Sequence, residues 1–336
     1  MKKRFLAIAI AAGLASPFAA QAEANVYGQL NLSVGMIEDT SNNGTVTNDD
    51  NWQVNSHNSR LGVKGSEDLG NGLSANYQLE WGVNPDSNSA NPTSGANNGL
   101  TQRNQWVGLK GNFGEVRVGK HDTPLKMSQG KFDQFGDLPG DIVGYGSVSL
   151  SSGDIRMSNV IAYLGKAGDI KYAIALVPGE NDGVNGGDGP ADSISAAVIY
   201  EAGPLYAAFA MDQYDDTAAT AGDTEDLMRI TVTYAMGTMD FGFMYEAEGT
   251  NGGVGEYDGI GLSFAMGMGK NTAKFQYLMG DIDGGDEATS MSVGYDFGLS
   301  KATTLGVMYT DLSNENAAGV TGDEVTFFGV NMLHKF

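Results

Sequence analysis

Short segments in which apolar and polar residues alternate recur along almost the whole chain, and this alternation constrains the fold more than any other feature. In GLSANYQLEW the residues Leu73, Ala75, Tyr77, Leu79 and Trp81 share one face, and polar residues occupy the other. The same pattern occurs in VYGQLNLSVGM, DIKYAIAL, TMDFGFMYE, AKFQYLM and SMSVGYDF. A period of two is that of a β-strand with two unlike faces. The chain is therefore predicted to be all-β.

The connections between these segments alternate in length. Seven are short and contain glycine: GSEDLGNG, KGNFGE, GKAGD, EAGP, AMGT, AMGMGK and FGLSK. Longer polar connections, such as EDTSNNGTVTNDDNWQVNSHN and NPDSNSANPTSGANNG, come between them, and eight of these make fifteen connections and sixteen strands. An even number of antiparallel strands, with short turns at one end and long loops at the other, is typical of a transmembrane β-barrel. Such a barrel needs only one apolar face per strand, because closure pairs every backbone polar group.

The first residues have the pattern of an export signal. Lys2, Lys3 and Arg4 precede an apolar stretch over residues 5–14, and the small-residue site Ala20-Gln21-Ala22 follows. The apolar stretch is shorter than the roughly 20 residues that a membrane-spanning helix needs. We therefore predict a cleaved signal peptide over residues 1–22 and a barrel over residues 23–336. A soluble β-sandwich or solenoid is the alternative, but the asymmetry of the turns favours the barrel.

Composition excludes several classes of function. The sequence has no Cys, so neither disulfides nor thiolate metal sites are expected. Without the three basic residues of the signal, 16 basic residues stand against 41 acidic ones, a net charge near −25 that excludes a basic nucleic-acid surface. The histidines His57, His121 and His334 are isolated from one another, so the sequence predicts no metal site, no cofactor and no enzyme.

The chain ends on an alternating apolar segment, VTFFGVNMLHKF. In a closed barrel the last strand must pair with the first, since no edge can face lipid. We therefore predict that this segment closes the barrel against the first strand near Val26, and that the terminal Phe336 is needed for assembly.

Several stretches resemble the general porins of Gram-negative bacteria: NVYGQLNLSVG, SRLGVKGSEDLGNGLSANYQLEW, RNQWVGLKGNFGEVRVGKHDTPL, FDQFGD and the final GVNMLHKF. The resemblance spans the chain after the signal. It implies a homotrimer of sixteen-stranded barrels in the cell outer membrane, in contact with its lipid and lipopolysaccharide. It also implies a third loop that folds into the lumen and narrows it, with acidic side chains facing a ladder of basic ones.

The segment KHDTPLKMSQGKFDQFGDLPGDIVGYGSVSLSSGD lies where this third loop is expected, over about residues 121–154. The resemblance makes Asp133, Asp137 and Asp141 the best candidates for the acidic side of the constriction, with Asp122 beside them. Loop aspartates also cap turns, so this alternative stays open for each of them. The loop lacks the Arg-rich start and the Pro-Glu-Phe-Gly stretch found in many relatives, which leaves the bore diameter open.

On the wall, Arg60, Arg103 and Arg156 match the family's basic ladder. Their apolar partners of opposite parity are predicted to point outward into lipid: Leu61, Trp106 and Met157. The alternative is that each Arg is simply solvated. Weaker candidates for charged groups in the lumen are Lys120, Lys126, Glu80, Glu115 and Arg117.

Together these features predict an outer-membrane porin, a water-filled channel through which small hydrophilic solutes and ions diffuse passively. Because acidic loops enrich cations at the mouth while wall arginines oppose loop acids in the constriction, weak cation selectivity is expected. Two alternatives remain: a channel that prefers sugars or anions, and a structural or adhesive barrel.

Overall fold

The computed structural model describes residues 23–41, 45–86, 100–145, 148–149, 151, 153–179, 189–213, 224–250, 257–282, 286–315 and 321–336. The predicted signal peptide lies outside these residues. Within them the chain forms nineteen strands and one short helix, α1 (Pro124–Met127). The strands are β1 Glu23–Ser41, β2 Thr45–Ser56, β3 Arg60–Gly70, β4 Leu73–Val83, β5 Leu100–Gly111, β6 Gly114–Asp122, β7 Gly144–Tyr145, β8 Val148–Ser149, β9 Arg156–Ala167, β10 Ile170–Val177, β11 Ser193–Ala202, β12 Leu205–Gln213, β13 Thr224–Met236, β14 Met239–Thr250, β15 Tyr257–Met268, β16 Asn271–Ile282, β17 Asp286–Gly298, β18 Thr303–Glu315 and β19 Thr321–Lys335.

These strands make a closed antiparallel barrel of sixteen. β2 and β3 pair with successive parts of β1 and so form one barrel strand with a break between them. β7 and β8 pair only with each other, in the connection between β6 and β9. The barrel closes because β1 also pairs with β19, from Gln29 opposite Lys335 to Thr40 opposite Glu324. The predicted sixteen-stranded barrel, closed by its last strand, is confirmed.

The seven predicted short turns all join neighbouring strands. Gly203 and Gly237 occupy two of them with φ of 56° and 64°, a left-handed conformation that glycine adopts without a steric penalty. The first predicted long connection is different, because β1 continues to Ser41 and β2 begins at Thr45. Most of that polar segment is therefore paired strand rather than loop.

The outer face of the barrel is apolar. Large hydrophobic side chains alternate along the strands and are exposed, as lipid-facing groups must be: examples are Val26, Leu61, Val107, Val118, Phe243 and Leu262. Many of their inward neighbours are polar, small or charged, and the large apolar ones that face inward on β14, β16, β18 and β19 pack against the third loop. Among the described residues, no helix is long and apolar enough to cross a membrane.

The third loop follows β6 and lies inside the barrel. Its short helix begins at the N-cap Thr123, whose hydroxyl accepts a hydrogen bond from the Lys126 backbone N–H at 3.0 Å. Leu125 then packs on the inward faces of β11, β12 and β13. Further along, Phe132 and Phe135 join a buried cluster with side chains from β1, from β14 and from β16 to β19. The loop thus covers one side of the interior and leaves the wall from β2 to β6 open to the lumen.

Two β-bulges change which side chains face inward. Pairing between β4 and β5 skips from Gln105 to Gln102, so β5 holds one extra residue there. Trp106 therefore faces the lumen, with the Arg117 guanidinium 4.0 Å from its ring centroid, and the prediction that it points outward is wrong. A second bulge in β9 includes Asn159, with φ of 60°. Met157 consequently packs against a buried cluster, where lipid contact was predicted.

Candidate functional site

The infolded loop meets the open wall at Arg60. Its guanidinium lies 3.3 Å from the Asp137 carboxylate, and both side chains are about one quarter exposed. Asn58, at the break between β2 and β3, donates from its amide to the same carboxylate. Asn58 has φ of 54°, so this bulged position aims its side chain at the loop. Arg60 and Asp137 are thus brought together as the sequence analysis anticipated.

Arg103 has a different partner. Its Nε lies 2.5 Å from Glu80 Oε1, and one guanidinium N–H donates to the Asn58 side-chain oxygen. Glu80 lies on the neighbouring strand β4, and Tyr27 donates its hydroxyl to the second carboxylate oxygen at 2.9 Å. Arg103 and Glu80 are both buried against the wall. Arg103 therefore balances a wall carboxylate, and Asn58 connects it to Arg60 and the loop.

Arg156 lies where the loop returns to the barrel. Its Nε is 2.8 Å from Asp122, which is the last residue of β6 and so belongs to the wall. Lys126 on α1 lies 2.8 Å from Asp154 and 3.9 Å from Asp122. These four side chains form a charge-balanced cluster that fixes both ends of the loop.

Asp133 and Asp141 are partly buried and accept hydrogen bonds from the loop. Asp133 accepts from the Phe135 backbone N–H at 2.9 Å and from Gln276 of β16 at 3.3 Å. Asp141 accepts from the backbone N–H groups of Asp137 at 2.6 Å and of Val143 at 3.0 Å. Burial and the negative charge of Asp141 raise the pKa of Asp133 well above its usual range. Burial also raises the pKa of Asp141 to about 6.

The loop is anchored to the far wall by a pair that the sequence analysis missed. Arg229 of β13 is fully buried, with its Nε 2.5 Å from Glu246 of β14. The same guanidinium donates to the Leu125 carbonyl at 3.3 Å and to the Ser151 hydroxyl at 3.4 Å. Counting outward from the short turn at Gly237 places these two residues opposite each other. The pair could therefore have been predicted from the register of this hairpin.

The lumen side of the structure therefore contains arginines that are each matched by a carboxylate. Arg60, Arg103, Arg156, Arg117 and Arg229 pair with Asp137, Glu80, Asp122, Glu115 and Glu246 respectively. Among the described residues, no group of three or more His, Asp or Glu is placed to hold a metal ion. Such an arrangement can define a polar passage and its electric field.

A closed barrel with an apolar outer face, a charged interior and an infolded loop is a channel of the outer membrane. The sequence matches the Gram-negative porin family over residues 6–317, and the chain belongs to that family. The resemblance found in the sequence is thus confirmed.

Individual relatives agree with this assignment. The chain is similar to outer membrane porin protein 32 of Delftia acidovorans, with 27% identity over 334 residues, covering 95% of this chain and 91% of that protein. It has the fold of an anion-selective porin from Comamonas acidovorans, with a TM-score of 0.74, 22% identity, and coverage of 94% of this chain and 100% of that one. OmpT of Vibrio cholerae in its trimer form gives a TM-score of 0.68 at 15% identity, covering 94% of this chain and 99% of that one. The protein is an outer-membrane porin.

Proposed function

We propose that this porin is a general diffusion channel for small hydrophilic solutes and ions, with a weak cation preference that declines as salt concentration rises. The observation that carries the proposal is the matching of each ladder arginine to a carboxylate. Arg60, Arg103 and Arg156 each lie within 3.3 Å of an acidic group. The constriction therefore has little net charge of its own.

The remaining charge of the molecule then decides the ion preference. After removal of the predicted signal peptide, 16 basic residues stand against 41 acidic ones. Negative charge at the channel mouths enriches cations when salt is dilute. Such charge is screened over about 10 Å at 0.1 M salt, so its influence fades as ionic strength rises.

Reversal potentials across a KCl gradient, taken at a low and a high absolute concentration, test this proposal. We expect a small potential of the cation-selective sign that shrinks at the higher concentration. Anion selectivity at the lower concentration would refute it. That outcome would favour the alternative of an anion-preferring channel, which is supported by the inward cations Lys64 and Lys110 and by the likeness to the anion-selective Comamonas porin.

A charge cycle at the loop contact tests the balance directly. Arg60→Gln leaves Asp137 unmatched and should strengthen cation preference, while Asp137→Asn leaves Arg60 unmatched and should shift the preference toward anions. The double variant should return close to the unmodified channel. Lys301→Gln, in the exposed turn between β17 and β18, is the matched control for loss of one positive charge. Equal reversal potentials in the unmodified channel, the two single variants and the double variant would show that this pair does not influence permeating ions.

We also propose that the chain assembles as a homotrimer whose outward apolar face contacts outer-membrane lipid and lipopolysaccharide. The trimer form of the OmpT structure supports the oligomeric state. Chemical cross-linking of intact outer membranes should give a three-chain product. Cross-linking that gives only single chains, with no two-chain or three-chain product, would contradict the trimer.

A further inference from the structure

A pocket of about 390 Å³ opens on the inner wall, away from the contact between Arg60 and the loop. It lies on strands β1 and β3 to β6, and its members Lys110 and Glu115 flank the short turn between β5 and β6. Short turns mark the periplasmic end of such barrels. We call this pocket the wall niche; its side chains include Lys64, Gln78, Trp106, Lys110, Glu115 and Arg117.

The wall niche has an excess of positive charge. Both carboxylate oxygens of Glu115 are already engaged, one by Arg117 at 3.0 Å and the other by Asn76 at 3.1 Å. Lys64 and Lys110 are exposed to the lumen and have no ion-pair partner within the described part of the chain. Three cations thus surround one acid, in contrast to the balanced pairs of the constriction.

Aromatic rings support two of these cations. The Lys64 ammonium lies 4.7 Å from the centroid of Tyr27, and the Arg117 guanidinium lies 4.0 Å from that of Trp106. Tyr27 is fixed because its hydroxyl donates to Glu80 at 2.9 Å and accepts from Gln78 at 2.8 Å. All of these side chains come from paired strands, so the pocket is already formed before a solute arrives.

We propose that the wall niche is a binding subsite for small organic anions that combine a carboxylate with a flat apolar body. The two unmatched lysines attract the carboxylate. The Trp106 ring and the Arg117 guanidinium stacked on it offer a surface for a planar body, and the amides of Asn76 and Gln78 bound the pocket with polar groups. A neutral sugar would leave the excess charge unmatched, so the anion fits this site better. The inference rests on the water-filled channel of the proposed function and is independent of its ion preference.

Benzoate is a suitable probe, with benzyl alcohol as its neutral counterpart and acetate as an anion without a ring. Purified porin in a planar bilayer should show concentration-dependent current fluctuations with benzoate. These should be stronger when benzoate is added on the side of the short turns. We expect weaker fluctuations with acetate and none with benzyl alcohol. An equal response to benzoate and benzyl alcohol would overturn the role of charge, and no response to benzoate would overturn the subsite.

Variants locate the site. Lys64→Met combined with Lys110→Met should weaken the apparent affinity for benzoate by roughly fivefold to tenfold, since an ion pair at an exposed site contributes only modestly to binding. Lys301→Met removes a cation from another short turn and should leave the affinity unchanged. A loss in Lys301→Met as large as in the double variant would overturn the assignment. All of these channels are compared as heat-resistant assemblies, so that misfolded material is excluded.

The two proposals fail separately. Reversal potentials in KCl test the ion preference and involve no benzoate. If they show anion selectivity while benzoate still binds in a manner that depends on Lys64 and Lys110, the subsite stands and only the proposed cation preference falls.

Discussion

Single inserted residues decide where several side chains of this porin point. Asn58, at the break between β2 and β3, has a left-handed backbone and reaches both Asp137 of the loop and Arg103 of the wall. The extra residue in β5 turns Trp106 from the lipid face to the lumen. Such bulges are common near functional sites because they redirect a side chain without ending the strand.

The ladder arginines were predicted from the sequence, but the bulges and the break at Asn58 were not. Alternation gives the face of each residue only while the register is unbroken, so parity failed for Trp106 and Met157 and held for Leu61. The signal for Asn58 is weak, although Asn tolerates positive φ better than most residues. Which carboxylate each arginine meets depends on bulges and on the path of the loop. The alternation of apolar and polar residues predicts neither of these.

Gly119 is a position where the backbone allows no other residue. Its φ is 139°, and an added Cβ would collide with the Gln105 carbonyl and lie 2.8 Å from the Trp106 Cα. Gly119→Ala should therefore destabilise the barrel by on the order of 1–3 kcal/mol. Gly267→Ala, where the nearest atom would be 3.6 Å away and φ is ordinary, is the control. The measurement is the temperature at which the folded form is lost in detergent, and equal values for the two variants would contradict the prediction.

At the scale of elements, the strands and turns were predictable and the path of the loop was not. The short glycine turns fix the register of each hairpin, which is why Arg229 lies opposite Glu246. The loop sequence itself shows only that it is long. Its route inside the barrel depends on the small inward residues Ala197 and Ala210, which leave room for Leu125, and on the wall cluster that receives Phe132 and Phe135.

The buried pair at the far wall should hold the loop in place. Arg229→Met removes the donors to Leu125 and Ser151 and leaves Glu246 buried without its cation. Loss of one partner of a buried pair costs about 3–5 kcal/mol, so we expect lower thermal stability together with larger fluctuations of the open-channel current.

A second variant separates these two effects. Arg229→Met with Glu246→Leu replaces the whole pair by apolar side chains and should recover much of the stability. The current fluctuations should persist, since the contacts to the loop are still missing. A quiet channel in this double variant would show that the pair supports the barrel but does not hold the loop.

We predict that the partly buried carboxyls Asp133 and Asp141 make docking of the loop sensitive to pH. Burial raises the pKa of Asp141 to about 6 and raises that of Asp133, and the loop acids Asp137 and Asp154 add negative charge around Asp141. Arg60 faces Asp137 from the wall. A carboxyl whose pKa is raised by folding is stabilising while protonated. The contribution of Asp133 and Asp141 to docking should therefore be greatest below about pH 4, the ordinary range of Asp, and should be lost as pH rises through about 6.

Hydrogen exchange of the loop amides, corrected for the intrinsic effect of pH, measures this change. Protection should decrease from about pH 4 to about pH 8. Asp141→Asn removes one titrating group and should flatten the dependence. Asp258→Asn, at an exposed carboxylate that accepts from Tyr245, is the matched control. A profile in Asp141→Asn that matches the unmodified protein would contradict the assignment.

At the scale of the whole molecule, we predict that assembly of the barrel depends on Phe336. The Phe336 N–H donates to the Gly28 carbonyl at 3.1 Å, and the Gly28 N–H donates to the Phe336 carbonyl at 2.9 Å. Deleting Phe336 removes both bonds at the closing seam, where unpaired backbone groups in lipid cost several kcal/mol each. We expect a reduced amount of heat-modifiable porin in the outer membrane. Normal amounts of the truncated protein would contradict this role.

The seam between β1 and β19 also has a kinetic consequence. It joins Gln29 to Lys335, positions separated by almost the entire chain. The other barrel pairings join strands that lie much closer along the chain, including β6 and β9, which are separated by the third loop. Closing so long a loop has an entropic cost that is recovered only when the last strand is in place. An intermediate that lacks this pairing is an open sheet with two unpaired edges, and such edges are able to pair with other chains.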